Sequence, residues 1–274
     1  MEIYKLTNFH THTYMCGHAK GTIDDYVNES ISFGFTSLGI SDHAFFPEIS
    51  HKGMRGEFSE LSDYIYQFFS AKEHYKDTIR IYLGFEIEFM PKFLSYYDEL
   101  LTKYKFDYLI LGQHLTYDED GKILEYFSWN NLNNISGVER YVNDLISGMK
   151  TGKFLYVCHP DLFMSYINEI NPSILDAMDA IIEASLKYNV ALELNLGGIR
   201  FNSLLSFVKG TFTYPNHIFR KKVGEKGAKV VVGYDAHSPS DFKETPFWFI
   251  EKFIFEHNLQ VFSPEELLLS KREI

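Results

Sequence analysis

Seven short apolar segments recur along this chain, separated by longer stretches in which apolar residues follow the period of amphipathic helices. Several segments are apolar almost throughout, as expected for parallel strands covered on both faces. Strand–helix alternation over 274 residues predicts a barrel or a doubly wound sheet formed by one domain, residues 1–274. The sequence lacks the glycine-rich phosphate loops of nucleotide-binding sheets, which favours the barrel. The predicted strands are residues 5–9, 36–41, 79–85, 107–112, 154–158, 190–195 and 229–234.

Three capping patterns predict where helices begin. The motif T-I-D-D at residues 22–25 is typical of a capping box, and Gly34 predicts the end of that helix. The motif N-P-S at residues 171–173 opens a periodic stretch that runs to about residue 187. The motif S-P-E-E at residues 263–266 places a cap, a first-turn proline and a third-position glutamate in order.

Histidines and carboxylates follow the predicted strands at the point where each strand ends. In a parallel barrel these ends converge on one face, where active sites form. A single such residue is more often an ordinary buried polar group, but coincidence is a poor explanation when six strands end in this way. The residues are His10, His12, His18, Asp42, His43, Glu86, Glu88, His114, His159, Asp235 and His237.

This set of residues predicts a cluster of divalent metal ions. Imidazole nitrogens and carboxylate oxygens are ligands for zinc, manganese and iron alike, so the sequence leaves the metal open. His10 and His12 are two residues apart, and on an extended segment both rings therefore point to one side. The candidates outnumber the three or four ligands of a single zinc site. We therefore infer two or three ions.

The positions of two histidines and of one connecting segment have alternative interpretations. His51 is interpreted as a surface residue, and His217, which follows Y-P-N, as either a loop residue or part of a pocket wall. Residues 45–60 form a loop over the site, with F-F-P at residues 45–47 as an apolar wall, or else a solvent-exposed connection.

The composition limits the class of partner. A net charge of −11 disfavours nucleic acid, because an acidic surface repels phosphate backbones. No apolar run approaches the roughly 20 residues of a membrane span, and the first residues lack the regions of a signal peptide. The two cysteines form neither a CxxC pair nor a disulfide framework, which favours a reducing, cytoplasmic setting. We expect a small-molecule partner, and the sequence indicates no oligomeric state.

Taken together, these motifs resemble the PHP family, named for polymerase and histidinol phosphatase. The resemblance spans residues 10–237 and implies a distorted (β/α)7 barrel of parallel strands with a trinuclear metal site. The matching motifs are H-T-H at 10–12, S-D-H at 41–43, G-F-E at 84–86, G-Q-H at 112–114, H-P-D at 159–161, E-L-N at 193–195 and G-Y-D-A-H at 233–237.

Within the family, the chain resembles the stand-alone histidinol-phosphate phosphatases. C-G-H-A-K-G at residues 16–21 is similar to that branch's loop after HxH, and N-L-G-G-I-R at residues 195–200 is similar to its Asn-Thr-Ala-Gly-Leu-Arg segment. Tyr214-Pro215 is similar to a downstream Tyr-Pro turn, whereas Leu196 stands where the branch usually has threonine. The resemblance implies hydrolysis of L-histidinol phosphate to L-histidinol and phosphate, in histidine biosynthesis.

The resemblance also implies which residues bind three ions. Glu86 would bridge the first two, since a carboxylate has two oxygens. Asp42 would either orient His43 or bind a metal directly. The first ion would take His10, His12, Glu86 and Asp235; the second Glu86, His114 and His159; the third His18, His43 and His237.

Several roles around the phosphate follow from the same resemblance. Arg200 would clamp a phosphate oxygen, because its planar fork matches that geometry, or else form an ordinary surface salt bridge. Asp161 would either donate a proton to the leaving group, if burial raises its pKa, or orient a ligand or bind the substrate's ammonium. Asp42, Asn195 and His217 are further candidates for substrate contact, while Glu193 is expected to support the site from behind.

Three alternatives remain open. The chain could be a hydrolase on the same scaffold that acts on another small phosphate ester or a nucleotide. It could be an amidohydrolase on an eight-stranded barrel, although no lysine follows the predicted strands beside the ligands. It could also be a non-catalytic metal-binding module, but such modules usually lose ligands. All nine ligand positions are present here, which favours catalysis.

Overall fold

The computed structural model describes residues 6–118, 120–126, 129–201, 213–244 and 247–272. The strands among them are β1 (Thr7–Asn8), β2 (Ser37–Ile40), β3 (Arg80–Ile87), β4 (Tyr108–Leu111), β5 (Leu115–Tyr117), β6 (Ile123–Glu125), β7 (Tyr156–Val157), β8 (Ala191–Asn195), β9 (Lys229–Gly233) and β10 (Gln260–Val261). The α-helices are α1 (Ile23–Phe33), α2 (Leu61–His74), α3 (Leu94–Thr102), α4 (Trp129–Leu132), α5 (Ile135–Lys150), α6 (Pro172–Tyr188), α7 (Leu196–Phe201), α8 (His217–Lys226), α9 (Asp241–Glu244), α10 (Phe247–Glu256) and α11 (Pro264–Arg272).

Eight strands form one parallel sheet in the order β1-β2-β3-β4-β7-β8-β9-β10. The chain segments that follow β1 and β9 meet beyond the carboxyl ends of these strands. There the backbone N–H of His12 donates to Ala236 O at 2.9 Å, and that of Ala236 donates to His10 O at 3.1 Å. At the amino end of β9 the neighbouring strand is instead β10, in which Gln260 lies opposite Lys229. The sheet is therefore a barrel that closes at the carboxyl ends of its strands, which confirms the predicted distorted barrel of parallel strands.

All seven predicted strands are present, as β1 to β4 and β7 to β9. The sequence analysis missed β10 and the antiparallel hairpin of β5 and β6, in which Leu115 lies opposite Glu125. Each of these strands has only two or three residues, too few to produce a periodic pattern. The hairpin is important for the site, because it begins directly after His114.

The predicted helix starts are confirmed. The Thr22 side chain accepts from the backbone N–H of Asp25, and Gly34 ends α1 with a left-handed conformation. Asn171 caps α6, and Ser263 precedes α11 with its hydroxyl 3.2 Å from the Glu265 backbone nitrogen. Among the described residues, none of these helices combines the length and the apolar character needed to cross a bilayer.

The interior of the barrel is filled beneath its carboxyl end by a separate apolar cluster around Phe9, Tyr108 and Tyr156. The rings of Phe9 and Tyr108 lie 4.9 Å apart, and the Tyr108 hydroxyl donates to Phe9 O at 2.9 Å. Gly84 gives this ring its space, because a Cβ there would lie 2.3 Å from Tyr108 Cζ. The site above the cluster therefore has a rigid, water-excluding base.

The connection after β2 folds toward the site, as one of the predicted alternatives has it, but its two phenylalanines do not form the predicted wall. Phe45 and Phe46 are fully buried, and the Phe45 ring packs 5.4 Å from that of Tyr64 and 5.2 Å from that of Phe85. These rings belong to the core outside the barrel, because burying two large aromatic side chains against other rings stabilises that packing. They are neither a wall of the site nor a solvent-exposed connection.

Candidate metal centre

The nine predicted ligands lie together at the carboxyl ends of the barrel strands. A cavity of about 550 Å³ opens above them, and seven of the nine line it. His10 and His12 are fully buried beneath it. The lining residues among the nine are His18, His43, Glu86, His114, His159, Asp235 and His237.

Glu86, near the end of β3, presents its two oxygens to different histidines. Oε1 lies 2.9 Å from Nε2 of His159 and 3.3 Å from Nε2 of His114. Oε2 lies 3.4 Å from Nε2 of both His10 and His12. One carboxylate therefore stands between two groups of imidazoles, which is the arrangement a bridging ligand requires.

Asp235 completes the first of these groups. Its Oδ1 lies 3.4 Å from Nε2 of His10 and 3.4 Å from Nε2 of His12, the same two nitrogens that face Glu86. Asp235 Oδ1 is also 3.4 Å from Nδ1 of His237, which belongs to the outer part of the cluster. The carboxylate thus joins the buried histidines to those nearer the opening.

The outer part of the cluster consists of His18, His43 and His237. Nε2 of His18 lies 3.0 Å from Nε2 of His237, and the rings of His18 and His43 are 5.3 Å apart. His43 Nδ1 is 3.0 Å from Glu86 Oε2, so this ring stands between the outer histidines and the central carboxylate. His18 is exposed and His237 half-buried, which leaves this part open to a ligand.

Two pairs of histidine nitrogens have the spacing of ligands on a shared ion. Nε2 of His18 and His237 are 3.0 Å apart, and Nε2 of His114 and His159 are 3.1 Å apart. Two nitrogens that each lie about 2.0–2.1 Å from a tetrahedral zinc are roughly 3.4 Å apart. The observed separations are close to this value.

Buried ring nitrogens without hydrogen bonds also indicate a metal site. Among the described residues, Nε2 of His10 and both ring nitrogens of His12 lack a hydrogen-bond partner. The nearest carboxylate oxygens to these Nε2 atoms lie at 3.4 Å. Leaving buried polar atoms unsatisfied costs free energy, so the site is built to receive a cation. The residues present fit divalent metal ions.

Burial keeps two histidines in the neutral form that metal binding requires. The pKa of His12 is lowered to about 3, first by burial and then by the neighbouring His237. Burial also holds the pKa of His43 well below its ordinary value. Both rings therefore offer a lone pair at neutral pH.

The two carboxylates are ionised for the opposite reason. Burial opposes the charge of Glu86, but nearby histidines, with His114 and His10 foremost, outweigh it and hold its pKa well below the ordinary value. For Asp235 burial is likewise outweighed, mainly by His10. The site thus combines neutral imidazoles at His12 and His43 with anionic carboxylates.

Backbone strain coincides with two of these positions. His159 has φ 27 and Asp235 has φ 48, both in the left-handed region that side-chain-bearing residues rarely adopt. Such conformations persist only where the surroundings enforce them, and they concentrate at functional sites. At these positions the His159 ring lies beside Glu86 and the Asp235 carboxylate lies beside His10.

Glu193, on β8, supports the cluster from behind. Its Oε1 lies 2.7 Å from Nδ1 of His10, and its Oε2 accepts from the His159 backbone N–H at 2.9 Å and from Asn195 Nδ2 at 2.8 Å. Asn195 Nδ2 also lies 3.2 Å from Asp235 Oδ2. Asn195, a candidate for substrate contact, is fully buried and instead links two carboxylates.

Glu88 supports His114 in a similar way. The Glu88 carboxylate lies 3.4 Å from His114 Nδ1 and binds Arg55 through two contacts of 2.6 and 3.1 Å. Arg55 also donates to Ala44 O at 3.0 Å, which ties the connection after β2 to the site. The sequence analysis missed Arg55, because nothing local marks an arginine whose partner is 33 residues away.

Asp42 is buried and turned toward the backbone. Its oxygens accept from the N–H of Thr13 at 2.6 Å and from the Thr13 hydroxyl at 2.7 Å. Burial raises the Asp42 pKa to about 7, although the bonds from Thr13 oppose this. The carboxyl group orients the segment that follows H-T-H, and it does not line the cavity.

The structure does not bring Asp161 or His217 to the cavity. Asp161 is fully buried, and its oxygens accept from Arg220 Nη2 at 2.5 Å and from the Asn216 backbone N–H at 2.6 Å. Burial raises its pKa, as expected, but both oxygens are engaged by protein donors. His217 Nδ1 lies 3.3 Å from His257 Nε2. These placements do not support the predicted proton donor and substrate contacts.

Arg200, at the end of α7, does line the cavity. Its Nη2 donates to the carbonyl oxygens of Tyr234 at 2.5 Å and Asp235 at 2.9 Å, and lies 3.5 Å from Asp241 Oδ2. These contacts hold the guanidinium beside the metal-binding carboxylate. The position suits an anion held next to the cluster.

The cavity also has lining residues that the sequence analysis missed. His51, interpreted as a surface residue, lines it together with Glu125, and its Nε2 lies 3.4 Å from Glu125 Oε1. His51 is partly exposed, and it also reaches the cavity because the connection after β2 folds back toward the β5–β6 hairpin. Met54, Leu162 and Tyr214 also line the cavity.

Comparison with known proteins gives a consistent result. The family model described as PHP domain matches residues 8–196. A Deinococcus radiodurans protein named "Probable histidinol-phosphatase" is 25% identical over 241 residues, covering 86% of this chain and 88% of the relative.

Two solved structures share the fold. A Listeria monocytogenes chain described as a candidate histidinol phosphatase superposes with a TM-score of 0.71 at 18% identity, covering 87% of this chain and 97% of that one. The histidinol phosphate phosphatase of Lactococcus lactis, solved with zinc, L-histidinol and phosphate, gives a TM-score of 0.66 at 17% identity, covering 94% and 95%. At these identities the likeness establishes the fold.

Proposed function

This chain belongs to the PHP domain family, and we propose that it hydrolyses L-histidinol phosphate to L-histidinol and phosphate. It is a metal-dependent phosphoesterase of that family. The observation that carries the proposal is the position of Glu86, whose two oxygens face two separate groups of imidazoles beneath an open cavity. The choice of substrate draws support from the names of the similar proteins, including one solved with L-histidinol and phosphate.

We propose three divalent ions, drawn from zinc, manganese and iron. The distances support the first two sets, each of which contains an oxygen of Glu86, and the pair of His18 and His237 within the third. Glu86 belongs to the first and second sets. The sets are His10, His12, Glu86 and Asp235; Glu86, His114 and His159; and His18, His43 and His237.

The chain's own residues bind and position the phosphate. Bound divalent ions would supply charge neutralisation for the phosphoryl group and would lower the pKa of the attacking water. Arg200 would hold a phosphate oxygen, because its guanidinium lines the cavity beside Asp235, where Nη2 donates to Tyr234 O and Asp235 O. Glu193 and Glu88 keep the rings of His10 and His114 in place.

Other functions make different demands on the same site. Another small phosphate ester or a nucleotide would use the same metal sets and the same arginine. A non-catalytic module needs neither an open cavity nor a complete set of ligands. The chain has both, which favours catalysis.

The deciding experiment is steady-state phosphate release by the purified protein, with metal content determined on the same sample. L-Histidinol phosphate, a nucleoside monophosphate and a phosphodiester would be compared. We expect turnover of L-histidinol phosphate that chelation abolishes and manganese or zinc restores. The proposal fails if the metal-loaded protein prefers another ester, and inactivity on all three would favour the non-catalytic module.

A pair of variants ties the activity to the site. His159→Asn removes a predicted ligand that lies 2.9 Å from Glu86, and we expect it to abolish turnover without unfolding the chain. His74→Asn changes an exposed histidine at the end of α2 and serves as the control. An unaffected rate in His159→Asn would show that the site is assigned incorrectly.

A further inference from the structure

The cavity has two regions with different charges. Its deep region contains Glu86 and His159, whose side chains are only 5% exposed or less. Its opening contains His51 and Glu125, whose side chains are 28% and 52% exposed. Glu125 and His51 line the same cavity as the metal-binding residues, so a ligand that occupies both regions contacts Glu125.

The backbone of Glu125 is fixed relative to the metal-binding residues. Glu125 lies opposite Leu115 in the β5–β6 hairpin, directly after His114. The next residue, Tyr126, donates its backbone N–H to His114 O at 2.7 Å, and Asn131 Nδ2 donates to Glu125 O at 2.6 Å. The hairpin thus fixes the backbone from which the Glu125 side chain extends into the cavity lining.

Glu125 differs from the other acids of the cavity in its contacts. Glu86 and Asp235 face the histidines, and Asp241 lies 3.5 Å from Arg200. Among the described residues, the side chain that contacts the Glu125 carboxylate is His51, at 3.4 Å from Oε1. Its second oxygen is therefore available to a hydrogen-bond donor on a ligand.

We infer that Glu125, assisted by His51, forms a subsite for a cationic group on the leaving-group side of the phosphate ester. The inference rests on the proposed function. The phosphate, a dianion, goes to the deep region beside Arg200 and the metal-binding residues, so the rest of the ester points to the opening. There the carboxylate meets an ammonium or imidazolium, because a charge-assisted hydrogen bond favours that pairing. The substrate class is a phosphomonoester whose alcohol carries a positive charge.

The test compares esters that differ in the charge of the alcohol. Kcat/KM would be measured for L-histidinol phosphate and O-phosphoethanolamine, which carry a cation, and for glycerol phosphate, which does not. We expect Glu125→Gln to lower the ratio of cationic to neutral kcat/KM about fivefold, mainly through KM. Glu125→Lys should lower this ratio further. Glu139→Gln, an exposed glutamate on α5, should leave the ratio unchanged.

The outcomes separate the inference from the proposed function. If the wild-type protein ignores L-histidinol phosphate but prefers O-phosphoethanolamine to glycerol phosphate, and Glu125→Gln removes that preference, the subsite stands and the proposed substrate fails. If L-histidinol phosphate is cleaved and the ratio is unchanged in both Glu125 variants, the subsite is wrong. A protein that cleaves no ester overturns both.

Discussion

Nδ1 of His10 lies 2.7 Å from Oε1 of Glu193, and both side chains are fully buried. Because this contact occupies one ring nitrogen, the other, Nε2, is turned toward Glu86 and Asp235. Burial alone would lower the pKa of His10, but Glu193 and Asp235 outweigh it and raise that pKa well above its ordinary value. The carboxylate of Glu193 therefore sets the orientation of the His10 ring.

Replacing Glu193 should weaken metal binding without removing a ligand. We expect Glu193→Gln to lower the affinity for manganese or zinc by about 10- to 100-fold, because outer carboxylates orient the ligating rings. The affinity would be measured by titrating the metal-free protein. Glu183→Gln, whose carboxylate pairs with Lys226 on the surface, is the control. Unchanged affinity in Glu193→Gln would mean that His10 keeps its direction without this contact.

Glu86 should affect more than one ion. We expect Glu86→Gln to lose at least two bound metals per chain and about 100-fold or more of the phosphatase activity, because its two oxygens serve two sets of histidines. His237→Ala, at the outer part of the cluster, should lose one metal. Elemental analysis after gel filtration measures both. Equal losses in the two variants would contradict a bridging role for Glu86.

Arg200 should act on the phosphate and leave the metals in place. We expect Arg200→Ala to lower kcat/KM about 100-fold and Arg200→Lys about tenfold, since lysine keeps the charge but loses the planar fork. Inhibition by inorganic phosphate should weaken in the same order. Kinetics would be compared at equal metal content. If KM and kcat stay the same in Arg200→Ala, the clamp role is wrong.

Much of this architecture is predictable from local sequence patterns. Apolar runs and caps such as Thr22 and Asn171 act within a few residues, so the strands and helix starts follow directly from the sequence. The convergence of the ligands is predictable as well, because the carboxyl ends of parallel strands meet on one face. The candidate ligands can then be predicted as the histidines and carboxylates that follow each strand.

The contacts that distant segments make with one another are not predictable in this way. Arg55 reaches Glu88, and His51 reaches Glu125, only after the connection beyond β2 has folded over the barrel. Asp161 follows H-P at the end of a strand, where a ligand is expected, yet its partner Arg220 comes from α8 and holds it in the core. Sequence position indicates the end of the barrel, whereas these pairings decide which side chains face the cavity.

A pH-dependent contribution to stability is expected at the opposite end of the barrel. Burial opposes the charge of Glu265, but the hydrogen bonds from Arg80 at 2.6 and 2.8 Å and from Tyr82 at 2.7 Å outweigh it and lower its pKa below 4.5. A carboxyl whose folded pKa is depressed stabilises the protein above its unfolded pKa and loses this contribution as pH falls through the folded value.

We therefore expect Glu265→Gln to lower the free energy of unfolding at pH 7 by about 1 kcal/mol, given that Arg80 is largely exposed. The difference from wild type should shrink as the pH falls below about 4.5, which urea unfolding at several pH values would measure. Glu266→Gln, an exposed neighbour on α11, is the control. A difference that stays constant down to the lowest pH would show that the charge of Glu265 is not its cause.

The aromatic cluster beneath the site should be sensitive to a single methyl group on Gly84. A Cβ there would lie 2.3, 2.6 and 2.7 Å from three ring atoms of Tyr108, which is fixed by its hydrogen bond to Phe9 O. We expect Gly84→Ala to lower the free energy of unfolding by about 1–3 kcal/mol, as overpacking a core does. Chemical denaturation measures it. Because the clash is with this one ring, Tyr108→Leu should offset part of the loss, with a coupling of about 1 kcal/mol or more in a double-mutant cycle. Strictly additive losses would mean that Gly84 is required for a reason other than the space it gives Tyr108.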